Sequence, residues 1–252
     1  MKRLAFTKIW VRNARVWRSH ILATLIGNLG QPFLFLIAMG YGLGRDVGPI
    51  NGLSYLQFIA PGLIASAVMY AAAFETTFGS YTRLAMQKTY EAILMTPLTV
   101  TDLVLGEISW GACKGLISAL IMVATLPFFG VWPSWWALGL LPLLLVAGIF
   151  FAALGLIMTA LASNYEFFNY FISLVLTPLF LFSGIFFPLD TLAPTAHFVF
   201  SLLPLSPIVE LSRMLTYGQF QGPLLMKMVI SVIITLATVW LAKVLMQRRL
   251  IK

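Results

Sequence analysis

The sequence predicts an all-α integral membrane protein with six transmembrane helices in one domain, residues 1–252. Hydrophobic residues make up 60% of the chain, charged residues only 10%, and the mean hydropathy is +0.95. A soluble domain averages about 45–50% apolar and about 25% charged residues, so this composition excludes a soluble fold. The apolar residues also lie in long continuous runs, whereas the strands of a membrane barrel alternate in hydropathy over about 10 residues. The runs therefore indicate transmembrane helices.

Residues 1–20 predict a helix that lies in the membrane interface. Trp10 and Trp17 are one heptad apart, so both rings fall on one face of a helix, and several lysines and arginines interleave with the apolar residues. An apolar, aromatic face opposite a basic face is typical of an interfacial amphipathic helix. The alternative is a disordered basic tail.

Six apolar runs follow, and each is long enough for a transmembrane helix, which takes about 20 residues. The runs are 22–43, 58–78, 103–128, 135–161, 168–187 and 224–245. The first run follows a basic segment, as in a signal peptide, but it is long and shows no small-residue cleavage site. We therefore expect it to remain in the protein as a span.

The 16 lysines and arginines predict the orientation of the spans. Most of them precede the first run, follow the last run, or lie between the second and third runs. The opposite loops contain Arg45, Arg213 and Lys227. The positive-inside rule therefore places both termini in the cytoplasm. This topology and contact with anionic lipid account for the net charge of +8, so no nucleic-acid partner is expected.

Residues 188–222 predict a re-entrant hairpin on the outer face, before the last span. Prolines divide this apolar segment into two stretches of about a dozen helical residues, or about 18 Å each. Neither stretch is long enough to cross about 30 Å of hydrocarbon, and one full crossing would place Arg248 and Arg249 outside. Two half-helices that enter the membrane and return satisfy both constraints.

Residues 83–97, RLAMQKTYEAILMTP, predict a short cytoplasmic helix between the second and third spans. Pro97 ends the helix because its ring cannot continue the hydrogen-bond ladder. Tyr90, Ile93 and Leu94 have the i, i+3, i+4 spacing of one apolar face. This face either docks onto a partner protein or packs beneath the adjoining spans.

Three charged residues are predicted inside spans, where charges are costly and usually face the bundle interior. Glu75 lies in the second run, and Glu107 and Lys114 share one face of the third. Lys114 either lines a transport pathway or forms a static pair with a glutamate. Aromatic rings pack against lipid or stack on sugars and acyl chains, so the candidate pathway residues are Phe33, Phe35, Lys114, Phe180, Phe182 and Phe186.

The sequence predicts no catalytic residue, no bound cofactor and no metal site. It has no G-x-x-x-x-G-K-[ST] phosphate loop, and its single cysteine, Cys113, excludes an internal disulfide. His20 and His197 have no ligand partners at useful spacing. Asp190 and His197 share the predicted outer hairpin with Ser201 and Ser206, but a Ser-His-Asp hydrolase there is disfavoured because a G-x-S-x-G elbow is missing.

Several stretches, taken in their order and spacing, resemble the membrane subunits of type-2 ABC exporters. They are SYLQFIAPGLIASA (54–67), YEAILMTPLT (90–99), LTPLFLFSGIFFPLDTLAP (176–194) and LLPLSPIVELSRML (202–215). The resemblance covers essentially the whole chain, and it is strongest to the branch of nodulation-type lipo-oligosaccharide exporter permeases.

This resemblance implies a permease of the bacterial inner membrane without enzymatic activity of its own. It implies a homodimer in membrane lipid, two copies of a cytoplasmic ABC ATPase that bind ATP and Mg²⁺, and an amphiphilic cargo such as a glycolipid or lipo-oligosaccharide. In the family, the helix after span two couples to the ATPase. The coupling residues implied here are Gln87, Tyr90, Glu91, Ile93, Leu94, Thr96 and Pro97.

Two other classes of function stay open from the residues alone. A secondary transporter or channel without an ATPase would need internal repeats around a midplane ion site, and the two halves show no convincing match. A membrane-embedded transferase acting on lipid-linked sugars would need a cluster of outer-face acids or histidines, for which Asp190 and His197 are the candidates.

Overall fold

The computed structural model describes residues 6–220 and 224–251, and the regular elements within these ranges are helical. The prediction of an all-helical protein with several apolar helices is thereby confirmed. The helices are α1 Phe6–Arg18, α2 Ile21–Gly27 with Leu29–Gly42, α3 Tyr55–Met86, α4 Thr89–Leu94, α5 Val100–Phe129, α6 Trp135–Leu161, α7 Phe167–Phe182, α8 Pro194–Ser201, α9 Ser206–Tyr217 and α10 Leu224–Leu250.

Helices α3, α5, α6 and α10 are each long and apolar enough to cross a membrane. The bounds of α6, Trp135–Leu161, are those predicted from the sequence. Helix α3 has 32 residues, or about 48 Å at 1.5 Å per residue. It therefore continues past its predicted end at Phe78 and projects beyond a hydrocarbon core of about 30 Å.

Helix α2 consists of two segments, Ile21–Gly27 and Leu29–Gly42, that meet at an angle of 42°. Pro32 lies four residues after the bend. A proline has no N–H to donate, and its ring meets the carbonyl of the residue four positions earlier. The two segments together have the length and hydropathy of one broken span.

Helix α7 is shorter than the predicted span 168–187. It ends at Phe182, which gives a length of about 24 Å. The following residues leave the helical conformation, and Gly184 adopts a positive φ of +77°. The prediction of helix over the last five residues of this run was therefore wrong, because a left-handed residue ends the hydrogen-bond ladder.

Helices α8 and α9 are half-helices of 8 and 12 residues that meet at 87°. By length and composition, the pair is either a broken span or a re-entrant hairpin. Contacts with α3 hold this pair of half-helices in place. Within α3, Pro61 has no N–H, so the carbonyl of Gln57 lacks its usual helical donor. The hydroxyl of Tyr217 donates to that carbonyl at 2.7 Å instead.

Arg213 adds a second link between α9 and the start of α3. Its guanidinium donates to the carbonyl oxygen of Phe58 at 3.2 Å and to that of Gly184 at 2.9 Å. The same group lies 3.8 Å from the centroid of the Phe58 ring, a cation–π contact. One buried cation thus joins α9, α3 and the segment that follows α7.

Small residues let α3, α5 and α6 approach closely in the middle of the bundle, as they do in other membrane proteins. A Cβ added to Gly155 of α6 would overlap the Thr76 hydroxyl and lie 2.8 Å from the carbonyl oxygen of Ala73. The hydroxyl of Thr159 donates to the carbonyl of Thr76 at 2.7 Å across the same contact. Gly155 is therefore needed for its small size.

We predict that Gly155→Ala destabilises the protein by about 1–3 kcal/mol, the usual cost of overpacking a close contact. A lower thermal unfolding temperature in detergent would show this. Gly30→Ala in α2 is the control, because nothing lies within 4 Å of a Cβ there. If both variants unfold at the temperature of the parent protein, the α3–α6 contact is not as tight as described.

Candidate functional site

The segment predicted as one helix over 83–97 is divided in the structure. Its first residues continue α3 to Met86, and the separate helix α4 is only Thr89–Leu94. The break lies at Lys88, which adopts a left-handed φ of +53°, an uncommon conformation for a residue other than glycine. At the other end of α4, the Thr96 hydroxyl donates a hydrogen bond to the backbone carbonyl of Ile93 at 2.6 Å.

The apolar face predicted on α4 points into the protein. Tyr90 is 0% exposed, and Ile93 and Leu94 are partly buried against the hydrophobic core. Of the two interpretations of this face, the structure therefore favours packing beneath the spans. The helix turns this face towards α3 and α5, so the Tyr90 side chain is covered here, and its predicted contact with a partner stays a prediction.

A different surface around α4 is exposed, and we call it the α4 surface. It consists of Met86, Gln87, Lys88, Glu91, Met95, Thr96 and Pro97. Met95 is 90% exposed and Met86 is 69% exposed, which is unusual for apolar side chains outside lipid. The ammonium of Lys88 and the carboxylate of Glu91 form an ion pair of 3.0 Å on the same surface.

Four charged side chains form a buried network beneath α4. Glu75 pairs with Lys114 at 2.6 Å and with Arg83 at 2.8 Å, and Arg83 also pairs with Glu107 at 2.8 Å. Glu107 is 0% exposed. Two carboxylates and two cations balance in charge, which matters because an isolated buried ion costs several kcal/mol.

Neutral side chains complete the network and attach α1 to it. The amide of Asn13 donates to Glu107 at 3.1 Å, and the hydroxyl of Ser80 donates to the other oxygen of that carboxylate at 3.2 Å. The indole N–H of Trp110 donates to Glu75 at 3.1 Å. Glu75 and Glu107 are therefore solvated by protein donors in place of water.

Sequence reasoning missed Asn13, Ser80 and Trp110. A signal for Asn13 was present, because it lies three residues after Trp10 and four before Trp17 and so shares their helix face. Both tryptophan rings pack edge-on against Trp110 of α5, with centroids 5.4 and 5.9 Å apart. This face of α1 is therefore held by α5.

Tyr90 covers the side of the network that faces α4. Its hydroxyl lies beside Ser80 and Arg83 but makes no well-aligned hydrogen bond with any residue that the structure describes. Burial raises the pKa of Tyr90 well above its usual value, and the nearby Glu107 carboxylate adds to this increase. The phenol therefore stays neutral, and α4 rests directly on the buried charges.

The residues predicted for a transport pathway separate into several groups. Lys114 is 8% exposed and belongs to the charge network, which supports its interpretation as part of a static pair. Phe182 stacks on Phe200 of α8 with centroids 5.0 Å apart. Phe33 is partly buried against the core.

The other three phenylalanines meet. Phe35 of α2 contacts Phe180 of α7 at 5.0 Å and Phe186 at 5.6 Å, and Phe180 and Phe186 are 5.1 Å apart, all between centroids. Further rings extend this cluster along α3, from Tyr70 through Phe74 to Phe78, with centroids 5.5 and 5.9 Å apart. We call the whole set the aromatic row.

The segment that leads into α8 brings Asp190 to His197, with 3.4 Å between carboxylate and imidazole. The nearby hydroxyls of Ser201 and Ser206 donate to backbone carbonyls at 2.8 and 2.6 Å. The described residues thus do not join a serine to this pair. They also contain no group of three or more side chains that could hold a metal ion.

Comparisons with known proteins agree on one family. A family model described as "ABC-2 type transporter" matches residues 4–217. "Nodulation protein J" of Sinorhizobium fredii is 36% identical over 245 residues, which cover 96% of this chain and 93% of the relative. "Nodulation protein J" of Rhizobium meliloti is 36% identical over 213 residues, with coverages of 83% and 80%. "Inner membrane transport permease YadH" of Escherichia coli is 28% identical over 216 residues, with coverages of 85% and 82%.

We predict that Glu75→Gln destabilises the protein by about 3–5 kcal/mol, because it leaves Lys114 buried without its counter-ion. The double variant Glu75→Gln/Lys114→Met should recover most of this loss, since Arg83 and Glu107 still balance. Thermal unfolding in detergent measures both effects.

Glu91→Gln is the control for this experiment, because it removes an exposed ion pair that is worth about 0–1 kcal/mol. A double variant that is less stable than Glu75→Gln alone would contradict the role given to charge balance.

Proposed function

Because the chain belongs to the ABC-2 type transporter family, we propose that this ABC exporter permease moves an amphiphile out across the bacterial inner membrane. The membership confirms the resemblance drawn from the sequence. The cargo proposed is a glycolipid or lipo-oligosaccharide, and the energy comes from a separate ABC ATPase that binds ATP and Mg²⁺. The names of the Nodulation protein J and YadH relatives support the branch and the inner-membrane location.

The observation that carries this proposal is the exposed α4 surface above a buried charge network. Exposed methionines adapt to irregular partners, and a few central side chains usually supply most of the affinity of an interface. We assign Met95 and Glu91 as such contacts for the ATPase. Tyr90, Ile93 and Leu94 act as positioning residues from beneath.

A displacement of α4 by the ATPase is transmitted to the membrane spans through Tyr90. This ring touches the network that joins α3 and α5, and the network in turn holds α1 through Asn13. Closure of two ATPases would therefore displace three helices together, as a rigid body, instead of bending one of them.

The pathway is proposed to form between two copies of the chain. Apolar side chains of α2 and α7 are exposed, among them Leu22, Ile26, Tyr170 and Leu174, and they are free to face lipid or a second copy. The cluster of Phe35, Phe180 and Phe186 lies where α2 meets α7. Aromatic rings there suit both the faces of sugars and acyl chains.

The proposed topology has six spans, α2, α3, α5, α6, α7 and α10, with α1 in the cytoplasmic interface. Helices α8 and α9 enter and leave on the outer side. The short helix α7 and its non-helical continuation to Phe187 make up the fifth crossing. Three buried links from Arg213 and Tyr217 to neighbouring carbonyls support this arrangement, since irregular backbone at membrane depth needs protein partners.

Cysteine labelling in a Cys113→Ser background measures this topology. We expect an impermeant reagent to reach cysteines at Asp46, Trp132 and Gln219 from outside, and those at Ser19, Lys88, Glu166 and Lys252 only after the membrane is opened. Labelling of a cysteine at position 252 from outside would contradict the six-span topology. Labelling of positions 193 and 217 from opposite sides would show that α8 and α9 form a crossing.

Substitution of the α4 surface measures coupling. We predict that Met95→Glu and Glu91→Lys leave the permease folded and inserted but reduce transport and substrate-stimulated ATP hydrolysis by about tenfold or more, the usual effect of removing a central anchor. Ile251→Glu is the matched control, because Ile251 is also an exposed apolar residue on the cytoplasmic side.

Met95→Glu and Glu91→Lys are compared with the control by co-purification of the permease with its ATPase and by ATP hydrolysis in vesicles. Full coupling in both Met95→Glu and Glu91→Lys would refute the docking role of this surface. An equal loss of transport and ATP hydrolysis in Ile251→Glu would show that any added charge on this side disturbs the complex. Tyr90→Ala should instead lower the unfolding temperature, because it empties a buried site.

A further inference from the structure

A large cavity lies at the hairpin formed by α8 and α9. The cavity has a volume of about 690 Å³ and lies between α8, α9, the segment after α7, α6 and α10. Binding sites for small molecules are typically about 300–1,000 Å³. The rings that form the cluster of Phe35, Phe180 and Phe186 do not line it, so it is separate from the proposed pathway.

One part of the cavity wall is charged. Glu210 and Lys227 form an ion pair of 2.5 Å, and Asp190 lies 3.4 Å from His197. The guanidinium of Arg213 also lines the wall. Two carboxylates face two cations here, so the wall suits a ligand that carries both charges better than a ligand with one.

The rest of the wall is largely apolar and follows α10 and α6 into the membrane. The apolar lining residues on these helices include Val146, Phe150, Met226, Ile230 and Ile234. From Lys227 to Thr235 the cavity follows α10 over about 12 Å at 1.5 Å per residue. Half of a hydrocarbon core of about 30 Å is about 15 Å, so the cavity has the depth of one leaflet.

Ser183 supplies an independent sign of a ligand. Its side chain is 1% exposed and lines the cavity, yet its hydroxyl makes no hydrogen bond with any described residue. A buried hydroxyl without a partner is unfavourable. The Ser183 hydroxyl lies beside Gly184, whose carbonyl accepts a hydrogen bond from Arg213. The hydroxyl is therefore available to the polar part of a bound molecule.

We propose that this cavity binds one phospholipid with a zwitterionic headgroup, taken from the leaflet on the hairpin side. The phosphate faces Lys227, Arg213 and the Ser183 hydroxyl, and the ammonium faces Glu210 and Asp190. One acyl chain lies along Ile230 and Ile234. The headgroup and part of this acyl chain fill the cavity and support the hairpin from behind. This site does not depend on the proposed cargo or on the ATPase.

Native mass spectrometry of the full chain, purified in a mild detergent, tests the proposal. Phosphatidylethanolamine, phosphatidylglycerol and diacylglycerol are added separately at equal concentration. We expect one phosphatidylethanolamine per chain to be retained, with about tenfold weaker retention of the other two, which corresponds to one decade in affinity.

Two variants and a control locate the binding. Ser231→Trp fills the cavity and should abolish retention, whereas Leu236→Trp, on the exposed side of the same helix, should not. Glu210→Gln/Lys227→Gln removes both charges together, so that neither is left unpaired, and should remove the preference for phosphatidylethanolamine. This double variant decides the matter if Ser231→Trp does not fold.

Three results would overturn the proposal. Equal retention of phosphatidylethanolamine and phosphatidylglycerol by the parent protein refutes a zwitterionic site. Equal losses in Ser231→Trp and Leu236→Trp show lipid bound only around the surface of the bundle. Unchanged selectivity in Glu210→Gln/Lys227→Gln shows that the charged wall does not contact the headgroup.

Discussion

The buried charge network is the constraint on which the packing of α1, α3 and α5 depends. Four buried charges require that α3 and α5 keep one register, because Glu75 must reach Lys114 and Arg83 must reach both carboxylates. The same requirement holds α1 against α5, since Asn13 supplies a donor to Glu107. A shift of α3 against α5 would leave a buried charge unpaired, and a shift of α1 would take a donor away from Glu107, so the network favours movement of the three helices together.

Helix α3 meets a related condition at its other end. Pro61 leaves a backbone carbonyl without a helical donor, and Tyr217 fills that place, while Arg213 binds the next carbonyl and the segment after α7. Between the two polar ends, small residues such as Gly155 bring α6 against α3. Helix α3 is thus fixed at both ends and along its middle, as a rod that joins the α4 surface to the hairpin of α8 and α9.

This arrangement relates the separate functional features to one another. The aromatic row follows α3, the α4 surface begins where α3 ends, and the pair of half-helices α8 and α9 is attached to its start. Under the proposed function, a force on α4 reaches the rings and the hairpin through one rigid element and needs no flexible connection. The cavity lies behind the hairpin of α8 and α9, where the proposed lipid would support the two half-helices.

The sequence by itself determined the helical class, the apolar segments and the bounds of α6, because mean hydropathy over about 20 residues is a local property. It also determined which residues share a helix face, as for Trp10 and Trp17, or Tyr90 and Leu94. Only the tertiary structure decided which face is buried, so that Tyr90 turned inward while Glu91 and Met95 stayed exposed. It also decided that Lys114 pairs with Glu75 and not with Glu107 of its own helix. The physical reason is the same in both cases: a buried face or charge is stabilised by atoms of another helix, and sequence spacing within one helix does not specify them.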